Sequence, residues 1–227
     1  MTQDEAKRLV AKRAAELVED GTVVGLGTGT TATLFIRELA ARKLKIRCVA
    51  SSDASHVLAV SLGMHVETLA ELPELDVYID GADEVCVAGG GGLELIKGGG
   101  GALLREKIVV SAAKEFIVVV DSTKMVERLG RFPLPVEVVK MALPVVEPRL
   151  AALGLHPKLR PAKNGSGPYL TDEGNYILDC ACGRIEEPEE VAAEIRSVVG
   201  VVEHGLFLGM ATLALVAGED GVTEHRA

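Results

Sequence analysis

The 227-residue chain carries 33 acidic and 24 basic side chains, which gives a formal net charge of −9 at pH 7. No block of Lys and Arg forms the basic face that nucleic acid or an anionic membrane needs, so neither is predicted as a partner. With 48% hydrophobic residues, 3% aromatics and no Trp, the chain can bury a sizeable aliphatic core in one or two domains.

Strand and helix patterns alternate along the first half of the chain. In chain order they predict a helix from Thr2 or Asp4 to about Val18, a strand at 22–26, a helix at 31–42, a strand at 46–51, a helix at 53–62, a strand at 76–80, a long glycine loop, a helix at 102–114 and a strand at 116–121. The strands are apolar runs, which indicates a parallel sheet covered on both faces. The predicted fold is a Rossmann-like α/β sheet with helices on both faces.

The pattern changes near Arg131. It predicts an edge strand with two prolines at 131–139, a helix at 148–153, a hairpin at 167–180 with its turn at 172–175, and a helix at 188–198. The apolar segment 205–222 is expected to rejoin the first sheet. We therefore predict a Rossmann-like domain from 1–127 and 204–227, and a smaller inserted α+β domain from 128–203.

The four cysteines predict no metal site. Cys180 and Cys182 form a C-x-C pair without a matching second pair or a nearby histidine, and the five histidines are scattered without metal-ligand spacing. Reduced thiols in a cytoplasmic protein are the better interpretation. The charged, amphipathic N-terminus lacks the apolar core of a signal peptide, and no window reaches transmembrane length.

The stretch "GLGTGTTA", residues 25–32, follows a predicted strand and opens a helix. Its glycines let the backbone approach an anion, the helix points its N-terminus at that anion, and the hydroxyls of Thr28, Thr30 and Thr31 add donors. A dinucleotide fingerprint would need glycine where Thr30 stands, and the P-loop lysine is missing. A plain strand–helix turn is the alternative to phosphate binding.

Two further segments follow predicted strands, at the sheet edge where ligands bind in open α/β folds. In "SSDAS", residues 51–55, Asp53 can cap a helix, contact a ligand, or do both. In "VDSTK", residues 120–124, Lys124 can reach a phosphate, with a plain surface lysine as the alternative.

The richest segment begins with "DGADE" at residues 80–84 and continues to "KGGGGALLREK" at 97–107. Lys97 supplies a positive charge, and the glycine N–H groups of 98–101 can face developing negative charge. Glu106, in the second turn of the following helix, is a candidate general base. Taken singly, Asp80 and Asp83 fit turn and capping roles and Glu106 fits a solvated helix face; their combination between adjacent strands favours chemistry.

The quoted motifs, together with "FPLPVEV" at 132–138, resemble the type A ribose-5-phosphate isomerase family over nearly the whole chain. The resemblance implies a metal-free enzyme without a cofactor, usually a homodimer or homotetramer, that interconverts ribose 5-phosphate and ribulose 5-phosphate in the non-oxidative pentose phosphate pathway. It also implies that the segment between Asp83 and Lys97, with its glycines at 89–92, is a longer surface loop than usual.

The resemblance assigns roles residue by residue. Glu106 moves a proton between C1 and C2 through an enediolate, Asp80 and Asp83 handle hydroxyl protons and ring opening, and Lys97 with the glycine N–H groups stabilises the oxyanion. Since the base must be ionised, Lys97 or the helix N-terminus is expected to keep Glu106 charged. The substrate-binding residues implied are Lys7, Thr28, Gly29, Thr30, Thr31, Ser52, Asp53, Gly81, Ala82, Gly98, Gly99, Gly100 and Lys124.

Two other functions stay open at this point. A non-catalytic phosphosugar-binding or regulatory domain of the same fold is one, and the presence of both Glu106 and Lys97 argues against it. A dinucleotide-dependent oxidoreductase that uses the glycine loop is the other, and Thr30 in place of glycine argues against that.

Overall fold

The computed structural model describes all 227 residues and contains six α-helices and fourteen strands. The helices are α1 (Gln3–Glu16), α2 (Thr30–Ala41), α3 (Asp53–Ser61), α4 (Leu103–Ser111), α5 (Leu143–Ala152) and α6 (Pro188–Ser197). The strands are β1 (Val23–Leu26), β2 (Arg47–Ala50), β3 (Val66–Glu67), β4 (Leu75–Asp80), β5 (Glu84–Val87), β6 (Leu93–Ile96), β7 (Ala113–Asp121), β8 (Leu134–Val138), β9 (Pro157–Leu159), β10 (Tyr176–Cys180), β11 (Val201–His204), β12 (Leu206–Ala211), β13 (Leu213–Gly218) and β14 (Gly221–Arg226).

The largest sheet has seven strands in the order β14-β13-β7-β4-β1-β2-β3, all parallel except the antiparallel edge strand β14. The chain builds outward from β1 through β2 to β3, and then returns to the other side of β1 to build β4, β7 and β13. The order therefore reverses between β1 and β4. In open α/β sheets, the crevice beyond the carboxyl ends of the strands at such a reversal is where ligands bind.

Two apolar clusters cover the two faces of this sheet. On one face α1, α2 and α3 pack on inward side chains such as Val24, Ile79 and Ile117. On the other face α4 and strands β5, β6 and β12 pack on Tyr78 and Phe116. This arrangement confirms the predicted α/β fold with helices on both faces. No helix in the protein combines the length and apolar character needed to cross a membrane.

The predicted long glycine loop is wrong in its extent. Strands β5 and β6 form an antiparallel hairpin, and β12 completes a three-stranded sheet in the order β12-β6-β5. Only the tip is a turn, in which Ala88 N–H donates to Gly92 O at 2.8 Å and Gly91 adopts φ +90°. The sequence signal was weak because each strand has only four residues and the glycines dominate the segment. The extra glycines therefore lie at the exposed tip, away from Lys97.

A second, four-stranded antiparallel sheet has the order β11-β8-β10-β9 and packs against α5 and α6. The edge position predicted for β8 is wrong, since β8 lies between β10 and β11 and all five of its residues are buried. Pro135 is tolerated because it lies before Val136–Val138, the stretch that pairs with β11, so its missing N–H interrupts no ladder there.

Three other boundaries in this region differ from the prediction. Helix α5 begins at Leu143, five residues before Pro148, which it accommodates in its interior. The turn at 172–175 forms, but no strand precedes it, and β10 pairs with β9 instead. The final apolar segment divides, because β12 joins the three-stranded sheet while β13 and β14 join the large one. The division into domains at 127/128 and 203/204 stays a prediction.

Candidate active site

Asp80, the last residue of β4, lies at the carboxyl edge of the large sheet with its side chain fully buried. Its Oδ1 accepts from the N–H groups of Thr28 at 2.9 Å and Gly81 at 2.7 Å. Its Oδ2 accepts from Tyr78 Oη and from Lys97 Nζ, both at 2.6 Å. A Cβ on Gly27 would collide with this carboxylate, so glycine is required there. Four donors thus compensate the cost of burying the charge.

This placement differs from the one expected for a residue that handles substrate hydroxyl protons. Both oxygens of Asp80 accept hydrogen bonds from protein groups, and its side chain is unexposed and does not line the cavity described below. The one charged partner of Asp80 is Lys97, whose Nζ donates to its Oδ2. The aspartate at the strand end therefore positions the lysine.

Lys97 follows β6 and is 2% exposed. Its Nζ donates to Asp80 and to Gly81 O, each at 2.6 Å, and lies 3.3 Å from Glu106 Oε2. Burial acts to lower the pKa of Lys97, but the neighbouring carboxylates of Asp80 and Glu106 outweigh burial and raise it. The lysine is thus a fixed cation at neutral pH, and the longer glycine segment before it has not displaced it.

Glu106 lies in the second turn of α4 and is 3% exposed. Its Oε2 is buried and accepts no hydrogen bond, although Lys97 Nζ is near. Burial raises the pKa of Glu106 to about 8, while Lys97 opposes the shift and Asp80 adds to it. Lys97 acts in the expected direction, toward the ionised carboxylate, but burial outweighs it and the pKa rises. The result is a carboxylate of raised basicity to which no protein group donates a hydrogen bond.

Asp83 and the glycine loop at 98–101 face this pair. Asp83 Oδ2 accepts from Gly99 N–H at 2.7 Å, and burial raises the pKa of Asp83 although Gly99 and Lys97 pull it down. Gly98 and Gly101 have φ angles of +105° and +90°, which only glycine adopts without strain. Within the loop, Gly101 N–H donates to Gly98 O at 3.0 Å, whereas the N–H groups of Gly98 and Gly100 donate to no protein acceptor. These two donors remain for a ligand.

The cluster opens into a polar cavity of about 290 Å³ at the carboxyl edge of the sheet, next to the N-terminus of α2. One of its fifteen lining residues is hydrophobic, which suits a polyhydroxylated anion. Lys7, Lys124 and Lys163 line it, and none of the three forms an ion pair with a carboxylate. The lining residues are Lys7, Thr28, Gly29, Thr30, Thr31, Gly81, Ala82, Asp83, Lys97, Gly98, Gly99, Gly100, Glu106, Lys124 and Lys163.

A larger cavity of about 460 Å³ lies at the opposite edge, where β1, β4, β7 and β13 begin. It is lined by side chains such as Leu17, Asp76 and Lys114, and Asp76 and Lys114 pair with each other at 2.8 Å. Size alone would favour this cavity. The smaller one holds the buried charges and the unpaired cations, so it is the candidate site.

Two of the predicted binding residues do not reach the cavity. Ser52 is buried, and its hydroxyl caps α3 by accepting from Ser55 N–H at 3.1 Å. The Asp53 side chain is 74% exposed and pairs with Arg105 Nη1 at 2.7 Å. The capping role predicted for Asp53 is therefore wrong, because Ser52 is the N-cap, and the Asp53 carboxylate forms a surface ion pair instead of lining the cavity.

The sequence did not point to Lys163, Arg160 or Tyr169, which come from the loop between β9 and β10. Lys163 lines the cavity, while Arg160 and Tyr169 contact the glycine loop. No local motif marks them, because they reach the site only through the packing of the four-stranded sheet against the large one. The unusual Tyr78 at a buried strand centre was a usable signal, since a buried phenol requires a partner.

Comparison with known proteins places this site in a family context. The family described as Ribose 5-phosphate isomerase A (phosphoriboisomerase A) matches residues 47–221. A shorter match, to the DeoR C terminal sensor domain, covers residues 2–69 and ends before Asp80. The ribose-5-phosphate isomerase A of Roseiflexus castenholzii is 51% identical over 96% of this chain and 94% of its own. That of Caulobacter vibrioides is 49% identical over 98% of both chains.

Solved structures agree with the sequence matches. Ribose 5-phosphate isomerase A from Methanocaldococcus jannaschii superposes with a TM-score of 0.94 at 41% identity over 100% of both chains. A D-ribose-5-phosphate isomerase in complex with phospho-erythronic acid superposes with a TM-score of 0.95 at 35% identity, again over 100% of both chains.

Proposed function

The chain belongs to the ribose 5-phosphate isomerase A family, and we propose that it interconverts ribose 5-phosphate and ribulose 5-phosphate in the cavity lined by Asp83, Lys97 and Glu106. One observation supports assigning the reaction to this cavity. The buried Glu106 carboxylate accepts no hydrogen bond from the protein, and its Oε2 lies 3.3 Å from Lys97 Nζ at the wall of a polar cavity.

Glu106 acts as the base. An aldose and its ketose differ by the position of one carbon-bound proton and one hydroxyl proton, so the reaction needs proton transfers and no net oxidation. The ionised Glu106 takes the proton from C2 of the aldose, which leaves an enediolate, and returns it to C1. A carboxyl with its pKa raised to about 8 is a stronger base than a solvent-exposed glutamate, and near neutrality it readily both takes and returns a proton.

Lys97 and the glycine loop stabilise the enediolate oxygen. Two of the lysine's three donors bind Asp80 and Gly81 O, which fixes the ammonium at the cavity wall. The free N–H groups of Gly98 and Gly100 lie on the same wall. Donors and charge held in place before the reaction act most strongly in a site of low dielectric, because they need not reorganise.

The two aspartates divide their roles. Asp83 lines the cavity, and burial raises the pKa of its carboxyl, so we assign hydroxyl proton transfer and ring opening to Asp83. Asp80 does not line the cavity and holds Lys97 and the Thr28 N–H in position. Asp80 is therefore a positioning residue in this scheme.

We assign the phosphate end of the substrate to Lys7, Lys124 and Lys163, which line the same cavity as Thr30 and Thr31. Helix α2 begins at Thr30, and its N-cap, Gly29, offers no side chain to the first N–H groups, so these donors can bind a phosphate. Three unpaired cations matter in a chain with a net charge of −9, because the overall field repels an anionic substrate.

The deciding test incubates purified protein with ribose 5-phosphate in the presence of EDTA and follows ribulose 5-phosphate. We expect turnover that is insensitive to the chelator, since protein groups supply every step. Absence of turnover, with retained binding of phospho-erythronic acid, would instead identify a sugar-phosphate sensor. A thermal shift with NAD or NADP, but none with a pentose phosphate, would favour the oxidoreductase alternative.

We also infer a homodimer or homotetramer in the cytoplasm. Met141 and Val199 are 87% and 79% exposed, and the segments that carry them meet where Val139 N–H donates to Gly200 O and Gly200 packs on Ala142. Exposed apolar groups that cluster in this way mark contact surfaces. The four free thiols fit a reducing compartment. Light scattering would measure the assembly, and a monomer at micromolar concentration would contradict it.

A further inference from the structure

A segment of the four-stranded sheet region, residues 160–169, contacts the glycine loop of the site. Arg160 follows β9, and its Nη1 donates to Gly98 O at 2.9 Å and to Gly99 O at 3.4 Å. Tyr169 Oη lies 3.4 Å from Gly100 O. Three consecutive carbonyls of the loop thus face one arginine and one tyrosine from outside the Rossmann-like sheet.

Because peptide bonds are planar, the contacts of the loop carbonyls with Arg160 determine where the N–H groups of the following residues point. All peptides are trans, so the C=O of one residue and the N–H of the next point in opposite directions. With Gly98 O on Arg160, the Gly99 N–H must point away from it, and it donates to Asp83 at the cavity wall. With Gly99 O also on Arg160, the Gly100 N–H points to that same side. This is one of the two loop donors without a protein acceptor.

Arg160 itself is held rigidly. Its Nε donates to Asp179 Oδ2 at 2.9 Å, its Nη2 donates to Asp179 Oδ1, and the guanidinium lies 5.8 Å from the centre of the Tyr169 ring. The side chain is 12% exposed. A planar fork can grip a carboxylate on one edge and two carbonyls on the other, which a lysine cannot do. The geometry therefore specifies arginine and not merely a positive charge.

We propose that Arg160 is a positioning residue of the isomerase reaction, which aims the Gly100 N–H at the enediolate oxygen by holding the Gly98 and Gly99 carbonyls. This inference rests on the proposed function. It makes the region between β9 and β10 part of the catalytic apparatus, although none of the sequence motifs lies there.

The test compares Arg160→Ala and Arg160→Lys with Arg184→Ala, in which an exposed arginine loses a surface pair with Glu186. Removal of one oxyanion donor costs about 10²–10³ in kcat, so a misaimed donor should cost about 10- to 100-fold. We expect that loss in kcat for both Arg160 variants, with KM changed less than about threefold. Millimolar guanidinium should restore part of the kcat of Arg160→Ala only, and Arg184→Ala should match wild type.

An Arg160→Ala protein with wild-type kcat would overturn the inference, even if its Tm falls, because a purely structural contact would then explain the arginine. Should that variant fail to fold, Asp179→Asn keeps the arginine but loosens its grip, and it must show a smaller loss in kcat. A wild-type protein without turnover would refute the proposed function instead, whereas active wild type with unaffected Arg160 and Asp179 variants refutes this inference alone.

Discussion

Two buried glutamates in different regions each have a buried carboxylate oxygen, Oε2, that accepts no hydrogen bond. Glu106 Oε2 lies at the edge of the large sheet, and Glu137 Oε2 lies in the four-stranded sheet. Burial raises the pKa of both. An orphaned buried oxygen is therefore not by itself the mark of a catalytic base.

The surroundings of the two glutamates differ in charge and in access. Glu137 Oε1 accepts from Thr171 at 2.9 Å and Asn175 at 3.0 Å, both neutral donors, and the adjoining void of about 10 Å³ is close to the size of one water. Glu106 has a lysine at 3.3 Å and a cavity of about 290 Å³. The comparison teaches that a fixed cation together with room for a substrate distinguishes a reactive carboxylate from a structural one.

The strongest test of this difference between Glu106 and Glu137 is to remove the charge of each carboxylate while keeping the shape of the side chain. Glu106→Gln should lower kcat by about 10³-fold or more, because an amide cannot act as the general base. Glu137→Gln should keep kcat within about threefold of wild type. Coupled assays of both variants, with phospho-erythronic acid binding as a check on the cavity, measure the difference. Similar losses in both would mean that Glu106 is only another structural glutamate.

A second prediction concerns the cation that only Glu106 has. Lys97→Met should lower kcat by about 10²–10³-fold, since the positive charge that stabilises the oxyanion is removed. It should also move the acid limb of the kcat/KM profile to higher pH, because Lys97 is the group that lowers the pKa of Glu106. The pH–rate profiles of wild type and variant report this shift. If the acid limb stays at the wild-type pH, Lys97 does not influence the pKa of Glu106.

The same variant should be less stable than wild type. Removal of the Lys97 ammonium leaves the fully buried Asp80 carboxylate without its cation. Breaking a buried ion pair in this way lowers the free energy of unfolding by about 3–5 kcal/mol. Denaturant unfolding of Lys97→Met and of Asp80→Asn with Lys97→Met measures the effect. The double variant should recover part of the stability, since no unpaired charge then remains.

The sequence predicted much of what sets Glu106 apart. Glycines and polar residues that follow successive parallel strands must meet at one sheet edge, so the sequence alone groups Thr28, Asp83 and Lys124. Lys97 belongs to the segment that follows the acids. The saturation of Asp80 was not predictable, because its four donors come from three separate segments. Arg160 was missed for a related reason, since its link to the glycine loop depends on how two sheets pack.

Other errors came from short-range signals that tertiary structure overrides. The four glycines at 89–92 suggested a long loop, but the four-residue strands on either side pair with each other and with β12. The prolines around β8 suggested an edge, but Pro135 lies outside the stretch that pairs with β11. Local propensity is a weak guide where the pairing partner is distant in sequence.

The last prediction concerns how stability depends on pH between about 5 and 9. A carboxyl whose folded-state pKa lies above its unfolded value binds more protons when folded, so the free energy of unfolding falls as pH rises between the two values. For Glu106 this window runs from its ordinary 4.5 to about 8. Gln cannot ionise, so Glu106→Gln should gain Tm relative to wild type as pH increases from 5 to 9, by about 2–4 °C for each kcal/mol of relieved cost.

Glu137→Gln should show the same sign with a smaller gain, because its other oxygen keeps two hydrogen bonds and burial is its main perturbation. Thermal melts of both variants and wild type across that pH range make the comparison. If the gain in Tm of Glu106→Gln does not change with pH, the pKa of the buried Glu106 carboxyl is not raised toward neutral pH. The carboxyl would then reach its full charge well below pH 7, and the acid limb of activity should lie there as well.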